Sequence, residues 1–188
     1  MRLFVAVAPP PAVAEEVEDA VAALRSHSPA LRWTLPEDRH LTLVFLGEVP
    51  ESHVPGVERR LGTEAARHHP FSLVVRGGGT FPEDAAQAQV LWAAVEGDVH
   101  RLTLLSYGLR KAARKSGINV SRRPYVPHLT LARSRGPADL SELRGRLDGI
   151  ESTHFTAADV HLVHSRTGSR PRYETIARWD LAPHPNGG

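Results

Sequence analysis

The sequence predicts an α+β fold with antiparallel strand pairing. Strand-like alternations and helix-like stripes are interspersed along the chain, and the last two strand patterns are joined by Gly168-Ser169-Arg170-Pro171, a composition suited to a hairpin turn.

The chain opens with the apolar run Met1 to Ala8, which ends at Pro9, Pro10 and Pro11. This run is too short to cross a bilayer and lacks a signal-cleavage context, so it reads as a first buried strand, with a cytoplasmic location as the default. Val13, Val17, Val21 and Leu24 then fall on one side of a helix, and the prolines favour its start, predicting a helix from Pro11 to Ser26. Leu31 to Thr34 forms a short strand. From His40, the residues Leu41, Leu43 and Phe45 alternate with His40, Thr42 and Val44 up to Gly47, which predicts a longer one.

Glu51 to His69 reads as a second helix weakened by Pro55 and Gly62, and Phe71 to Val75 as a strand ending in a turn at Gly77-Gly78-Gly79. The triple glycine lacks the spacing, lysine and hydroxyl of a phosphate loop. Val90 to Val95 is a strand, and Val99, Leu102, Leu105, Leu109 and Ala112 form the strongest helical stripe. Tyr125 to Arg133 is a strand, Leu140 to Leu147 a helix, and His154 to Ser165 and Tyr173 to Leu181 are strands, after which Pro183 to Gly188 should fray.

Composition excludes several chemistries. With no cysteine among 188 residues there is no disulfide, thiolate nucleophile or cysteine-ligated metal, which also fits a reducing compartment. Hydrophobic residues at 41% and charged residues at 23% are ordinary for a soluble globular protein. The formal charge of +2 does not by itself announce a nucleic-acid binder. Arg110, Lys111, Arg114 and Lys115 cluster, as do Arg122 and Arg123, and the simplest reading of such runs is a solvated helix face and loop.

One internal repeat stands out. His40-Leu41-Thr42-Leu43 recurs identically as His128-Leu129-Thr130-Leu131, 88 residues later. Strand alternation turns each histidine and its threonine to one face and the leucines to the other, so each copy presents an imidazole and a hydroxyl while its leucines anchor the core. A neutral histidine can take a proton from water, a protonated one can supply a proton to a departing oxygen, and two hydroxyls can bond phosphate oxygens. A lone His-Leu-Thr-Leu is a good strand sequence on propensity alone; two identical copies favour chemistry.

These motifs resemble those of the two-histidine phosphoesterase superfamily, and within it the RNA 2',3'-cyclic phosphodiesterases once described as 2'-5' RNA ligases. The resemblance rests on Arg2-Leu3-Phe4-Val5-Ala6-Val7, on Arg39 to Glu48 and on Pro127-His128-Leu129-Thr130-Leu131-Ala132-Arg133. It implies a bilobal domain over residues 1–182, with two pseudo-symmetric antiparallel sheets flanking a central cleft and helices outside. It also implies His40 as proton donor to the 3' oxygen, His128 as the base that activates water, and Thr42, Thr130 and Arg133 as phosphate-binding residues. No metal or other cofactor is implied. The expected partner is RNA with a 2',3'-cyclic phosphate end, and a monomer with no obligate protein partner and no membrane association is expected.

Strict alternation turns Arg133 away from His128, so either the strand bulges there or Arg133 is a surface arginine. By the same parity Phe45 belongs in the core, although a base-stacking role is its alternative. Tyr125, Arg122, Arg123 and Arg39 lie near the motifs, with packing and solvation as their simplest readings. His161 with His164, and His68 with His69, lack an evident carboxylate partner of ligand spacing, which argues against a metal site. Ser106 and Ser116 lack a nucleophile-elbow context. A nucleotide or RNA-end binding module of the same fold, and 2'-5' RNA ligation, are the competing readings.

Overall fold

The structure is a computed structural model and describes residues 1–28 and 30–185; of the expected fraying tail, residues 186–188 lie outside the described part. The described residues form nine strands and four α-helices: β1 (Arg2–Val7), α1 (Pro11–Arg25), β2 (Arg32–Trp33), β3 (Leu41–Glu48), α2 (Val54–Ala65), β4 (Phe71–Phe81), β5 (Ala88–Gly97), α3 (Val99–Lys115), β6 (His128–Ala138), α4 (Ser141–Arg146), β7 (Phe155–Ala157), β8 (Asp159–Ser165) and β9 (Tyr173–Asp180). All strand pairs are antiparallel, in two sheets ordered β3-β1-β8-β9 and β2-β6-β5-β4-β7. The expected α+β architecture with two sheets is therefore present.

The sheets repeat one plan. β3-β1-β8-β9 matches β6-β5-β4-β7 in order, and in each the two motif-side strands are joined through a helix, β1-α1-β3 and β5-α3-β6. The helices cross over. α3 follows a strand of the second sheet but packs on β3 of the first, where the Ser106 hydroxyl donates to the Leu43 carbonyl at 2.7 Å. α1 follows β1 but reaches the second lobe, where Glu16 accepts from the Thr153 backbone N–H at 2.6 Å, just before β7. This exchange joins both lobes in one continuous buried core, built on leucine and valine from both sheets and the facing stripes of α1, α2 and α3.

Both motif strands carry an extra residue at the same place. β1 pairs Val5 with Val44 and then Ala6 with Thr42, leaving Leu43 unpaired; β5 pairs Leu91 with Ala132 and then Trp92 with Thr130, leaving Leu131 unpaired. Each bulge turns two successive residues into the core, Leu43 with Val44 and Leu131 with Ala132, all at or below 4% exposure. Parity beyond the bulge is thereby reversed. The carbonyls of the two extra residues are both satisfied: Leu43 O accepts from Ser106, and Leu131 O from the Thr34 N–H at 2.8 Å.

Several expectations are corrected. Gly77-Gly78-Gly79 is no turn but the middle of β4, where Gly77 takes a φ of +71° at a register shift against β5. A Cβ at Gly79 would lie 2.4 Å from the Trp92 ring, so the missing side chain makes room for that indole on the strand. Pro55 sits in the first turn of α2, where its missing N–H costs nothing, and so it starts the helix it was expected to weaken. The run His154 to Ser165 breaks at Ala158 into β7 and β8, which join different sheets. Tyr125 to Pro127 precede β6. At the chain end, the His184 ring stacks on His69 and its Nε2 lies 3.0 Å from the Pro70 carbonyl.

Replacing the fully buried Ser106 by alanine removes the donor to a buried carbonyl at the bulge. Ser106→Ala should lower unfolding free energy by about 1–3 kcal/mol, measured by urea denaturation; a change near zero would mean that the Leu43 carbonyl finds another donor.

Candidate active site

β3 and β6 run beside one another where the two sheets meet, which brings the repeated tetrapeptides into one region. The Tyr125 hydroxyl, three residues ahead of His128, donates to the Thr42 carbonyl at 2.9 Å and ties the second motif to the first. Burial raises the Tyr125 pKa, so it remains a neutral donor there.

The two histidines are held alike. His40 Nδ1 lies 3.2 Å from the carbonyl of Asp38, and His128 Nδ1 lies 2.6 Å from the carbonyl of Val126, each two residues upstream. A carbonyl only accepts, so Nδ1 carries the hydrogen in both rings and Nε2 holds the lone pair of the neutral imidazole. Aromatic rings flank each imidazole. Phe4 and Tyr173 stand edge-on to His40 at centroid distances of 5.8 and 5.4 Å; Phe81 and Trp92 lie 5.0 and 5.7 Å from His128.

Burial lowers both histidine pKa values from the ordinary 6.5. For His40 the Asp38 carbonyl and carboxylate oppose the shift while His161 adds to it; for His128 the Val126 carbonyl opposes it and Arg133 adds to it. Burial therefore biases both rings toward the neutral form.

The bulges decide what accompanies the histidines. Thr42 and Thr130 lie on the histidine faces of their strands, paired with Ala6 and Trp92. Five residues after His128, the reversed parity returns Arg133 to the face of His128, close enough to depress its pKa. At the same offset in the first motif Phe45 is 66% exposed and lies 6.0 Å from Phe4, which corrects the expectation of a core residue. Arg39, next to His40, is directed inward: its side chain is 3% exposed, pairs with Glu18 of α1 at 2.6 Å and donates to the Thr34 carbonyl at 2.9 Å. It fixes the segment that delivers Asp38 and His40.

Sequence reasoning missed the aromatic walls, because Phe4 lies in a strand that is apolar on both faces and Trp92 in an unremarked alternation. His161, weighed from the sequence only for metal binding, pairs with β1 opposite Ala6 and binds Asp159 at 3.0 Å. The histidine pairs considered for metal binding do have carboxylate partners, since His68 meets Glu64 at 2.9 Å. Those bonds are pairwise: among the described residues no three histidine, aspartate or glutamate side chains gather into a ligand set. No helix among these residues is long and apolar enough to cross a membrane.

Comparison with known proteins gives consistent matches. The family model described as the 2'-5' RNA ligase superfamily matches residues 9–169. A protein of Methanothermobacter thermautotrophicus named RNA 2',3'-cyclic phosphodiesterase is 30% identical over 177 residues, 92% of this chain and 95% of that one. One of the same name from Geobacillus stearothermophilus is 34% identical over 163 residues, where 86% of this chain spans about half, 51%, of the relative. Among solved structures, one from Thermus thermophilus superposes with a TM-score of 0.76 at 29% identity, covering 98% of this chain and all of that one. Escherichia coli LigT complexed with 3'-AMP gives 0.75 at 26% identity, covering 96% of this chain and 97% of that one.

Because burial disfavours the charged forms of His40 and His128, the unfolded chain binds more protons than the folded one as pH falls below 6.5. Stability should therefore be intact above pH 6.5 and decline as pH falls toward the lowered folded-state values. Thermal unfolding between pH 7 and 5 should show this, with a smaller decline in His40→Gln/His128→Gln; an equal decline would remove these rings as its source.

Proposed function

The chain belongs to the 2'-5' RNA ligase superfamily, and on that premise we propose that it hydrolyses RNA 2',3'-cyclic phosphate ends to 2'-phosphomonoesters, using His40 and His128 as acid and base with no metal in the step. The observation that carries this reading is the matched anchoring of the two imidazoles. Each is fixed through Nδ1, leaves Nε2 for proton exchange and has a threonine hydroxyl on its strand face.

In this scheme His128 Nε2 takes a proton from water as the water oxygen bonds to phosphorus. The bond from phosphorus to the 3' oxygen breaks, that oxygen takes the Nε2 proton of His40, and the phosphate remains on the 2' oxygen. Thr42 and Thr130 donate to the non-bridging oxygens, and Arg133 balances the charge that gathers on them. Local electrostatics supports the division of roles. The Asp38 carboxylate favours a charged His40, whereas the Arg133 guanidinium disfavours a charged His128. Relatives named RNA 2',3'-cyclic phosphodiesterase support the substrate. A cytoplasmic monomer fits the cysteine-free sequence and a soluble RNA end as substrate.

The test is incubation with a 2',3'-cyclic-phosphate-ended oligonucleotide in excess chelator, with the position of the product phosphate read by phosphorus NMR. A 2'-phosphate is expected, with kcat reduced by about 10²–10⁴ in His40→Ala and in His128→Ala. A 3'-phosphate would reverse the leaving oxygen, activity restored only by zinc or manganese would reject the metal-free step, and absence of turnover would leave a binding module.

The scheme needs one ring charged and the other neutral. In the free enzyme that state peaks between the two macroscopic pKa values of the pair, which burial moves toward acid. The kcat/KM profile should thus be bell-shaped with its maximum below pH 6.5. The kcat maximum should lie higher, because the bound phosphate anion favours an imidazolium. A kcat/KM plateau extending above pH 8 would reject paired acid–base chemistry.

A further inference from the structure

The positive charge of this chain is unevenly placed. Of its 23 lysines and arginines, nine lie between Val99 and Ala138, a stretch without a single aspartate or glutamate, leaving 14 against all 21 acidic residues elsewhere. The small net charge therefore conceals a basic strip on an acidic body. Among the described residues only Arg101 of those nine meets a carboxylate, Asp98 at 3.5 Å.

An ordinary solvated face interleaves both signs, as α4 and the turn after it do with the Arg144–Asp148 and Arg146–Glu142 pairs at 2.5 and 3.0 Å. The C-terminal half of α3 does not. Tyr107, Lys111, Arg114 and Lys115 recur at helical spacing on one exposed face, and Arg122 and Arg123 are exposed on the loop that follows. The strip is fastened to the candidate active site. Arg110 donates to the Arg123 carbonyl at 2.7 Å and its guanidinium stands 5.4 and 5.6 Å from the Tyr107 and Tyr125 rings, while Tyr125 bonds the Thr42 carbonyl.

We propose that this strip holds the ribose-phosphate backbone of the RNA strand on the 5' side of the cyclic phosphate, so that the substrate class is a single-stranded oligonucleotide and not a free cyclic mononucleotide. The proposal rests on the phosphodiesterase reading for the placement of the strand's end. Like charges unpaired on one face repel one another and are relieved by a polyanion, and a half-exposed tyrosine among them offers a stacking surface for an unpaired base.

The test uses Lys111→Gln/Lys115→Gln/Arg122→Gln, three exposed positions outside the catalytic groups, with Arg59→Gln/Arg60→Gln on α2 as a control for bulk charge. Two quantities are measured against salt: kcat/KM for a cyclic-phosphate-ended decanucleotide and for a 2',3'-cyclic mononucleotide, and binding of a labelled 2'-phosphate-ended decanucleotide by fluorescence anisotropy. The triple variant should lose on the order of tenfold or more in oligonucleotide affinity and kcat/KM at low salt, and its logarithmic salt slope should shrink by about 2 units. Mononucleotide turnover and the α2 control should stay within about twofold of wild type.

Equal losses on both substrates, a wild type that handles both equally well, or an equal loss in the α2 control would overturn the strip as an RNA site. So would variant-sensitive binding to anionic phospholipid vesicles with none to the oligonucleotide. If the wild type turns over neither substrate, the phosphodiesterase reading fails, and the anisotropy measurement still decides the strip.

Discussion

One extra leucine in each motif strand governs what the candidate site can contain. A regular strand would continue the alternation begun at His40 and His128 and bury the fifth residue after each. Inserting Leu43 and Leu131 puts two consecutive side chains into the core and returns Phe45 and Arg133 to the histidine faces. The insertion is stable because the core accepts both apolar neighbours and because each displaced carbonyl has its own donor, Ser106 in one lobe and the Thr34 amide in the other. Hence a buried serine on a helix and a short strand at a sheet edge belong to the architecture of the site without lying in it.

The two lobes share this device and differ in what they display. In the first lobe the threonine is paired with Ala6 and followed by Phe45, with His161 across Ala6; in the second it is paired with Trp92 and followed by Arg133. Small and apolar residues thus stand where the second lobe has an indole and a guanidinium. Gly79 is the counterpart of that indole, since no side chain at that position could share the space. A duplicated frame supplies two imidazoles in equivalent settings, and these local differences make them chemically unlike.

Much of this was legible in the sequence because periodicity is a direct consequence of burial. The stripes of α1 and α3, the strand following His40 and the closing hairpin all follow from it. The repeated tetrapeptide also located both histidines and both threonines on one face each. What alternation could not reveal was the place where it fails. Leu-Val and Leu-Ala after each threonine look like ordinary apolar strand residues, and only the partner strand's register exposes the bulge that moves Phe45 and Arg133. The triple glycine misled for a related reason: turn composition and a glycine needed for the packing of Trp92 and Leu147 look identical until the neighbouring side chains are in place. Pairings such as Tyr125 with Thr42 join residues 83 apart, and no local pattern encodes them.

Electrostatics then separates two otherwise equal rings. Burial alone would lower both histidines together and give a pair with no preferred direction of proton flow. Asp38 stands on the same short segment whose carbonyl orients His40, so the group that fixes the ring's tautomer also brings a carboxylate that favours its charged form. Val126 fixes His128 through a carbonyl at the same offset but brings no charge, and the bulge adds Arg133, which acts in the opposite sense. Direction in the proposed reaction therefore comes from two departures from symmetry, an acidic side chain before one motif and a basic one after the other. The first is carried by the segment that orients its histidine, and the second is turned to its histidine by the bulge.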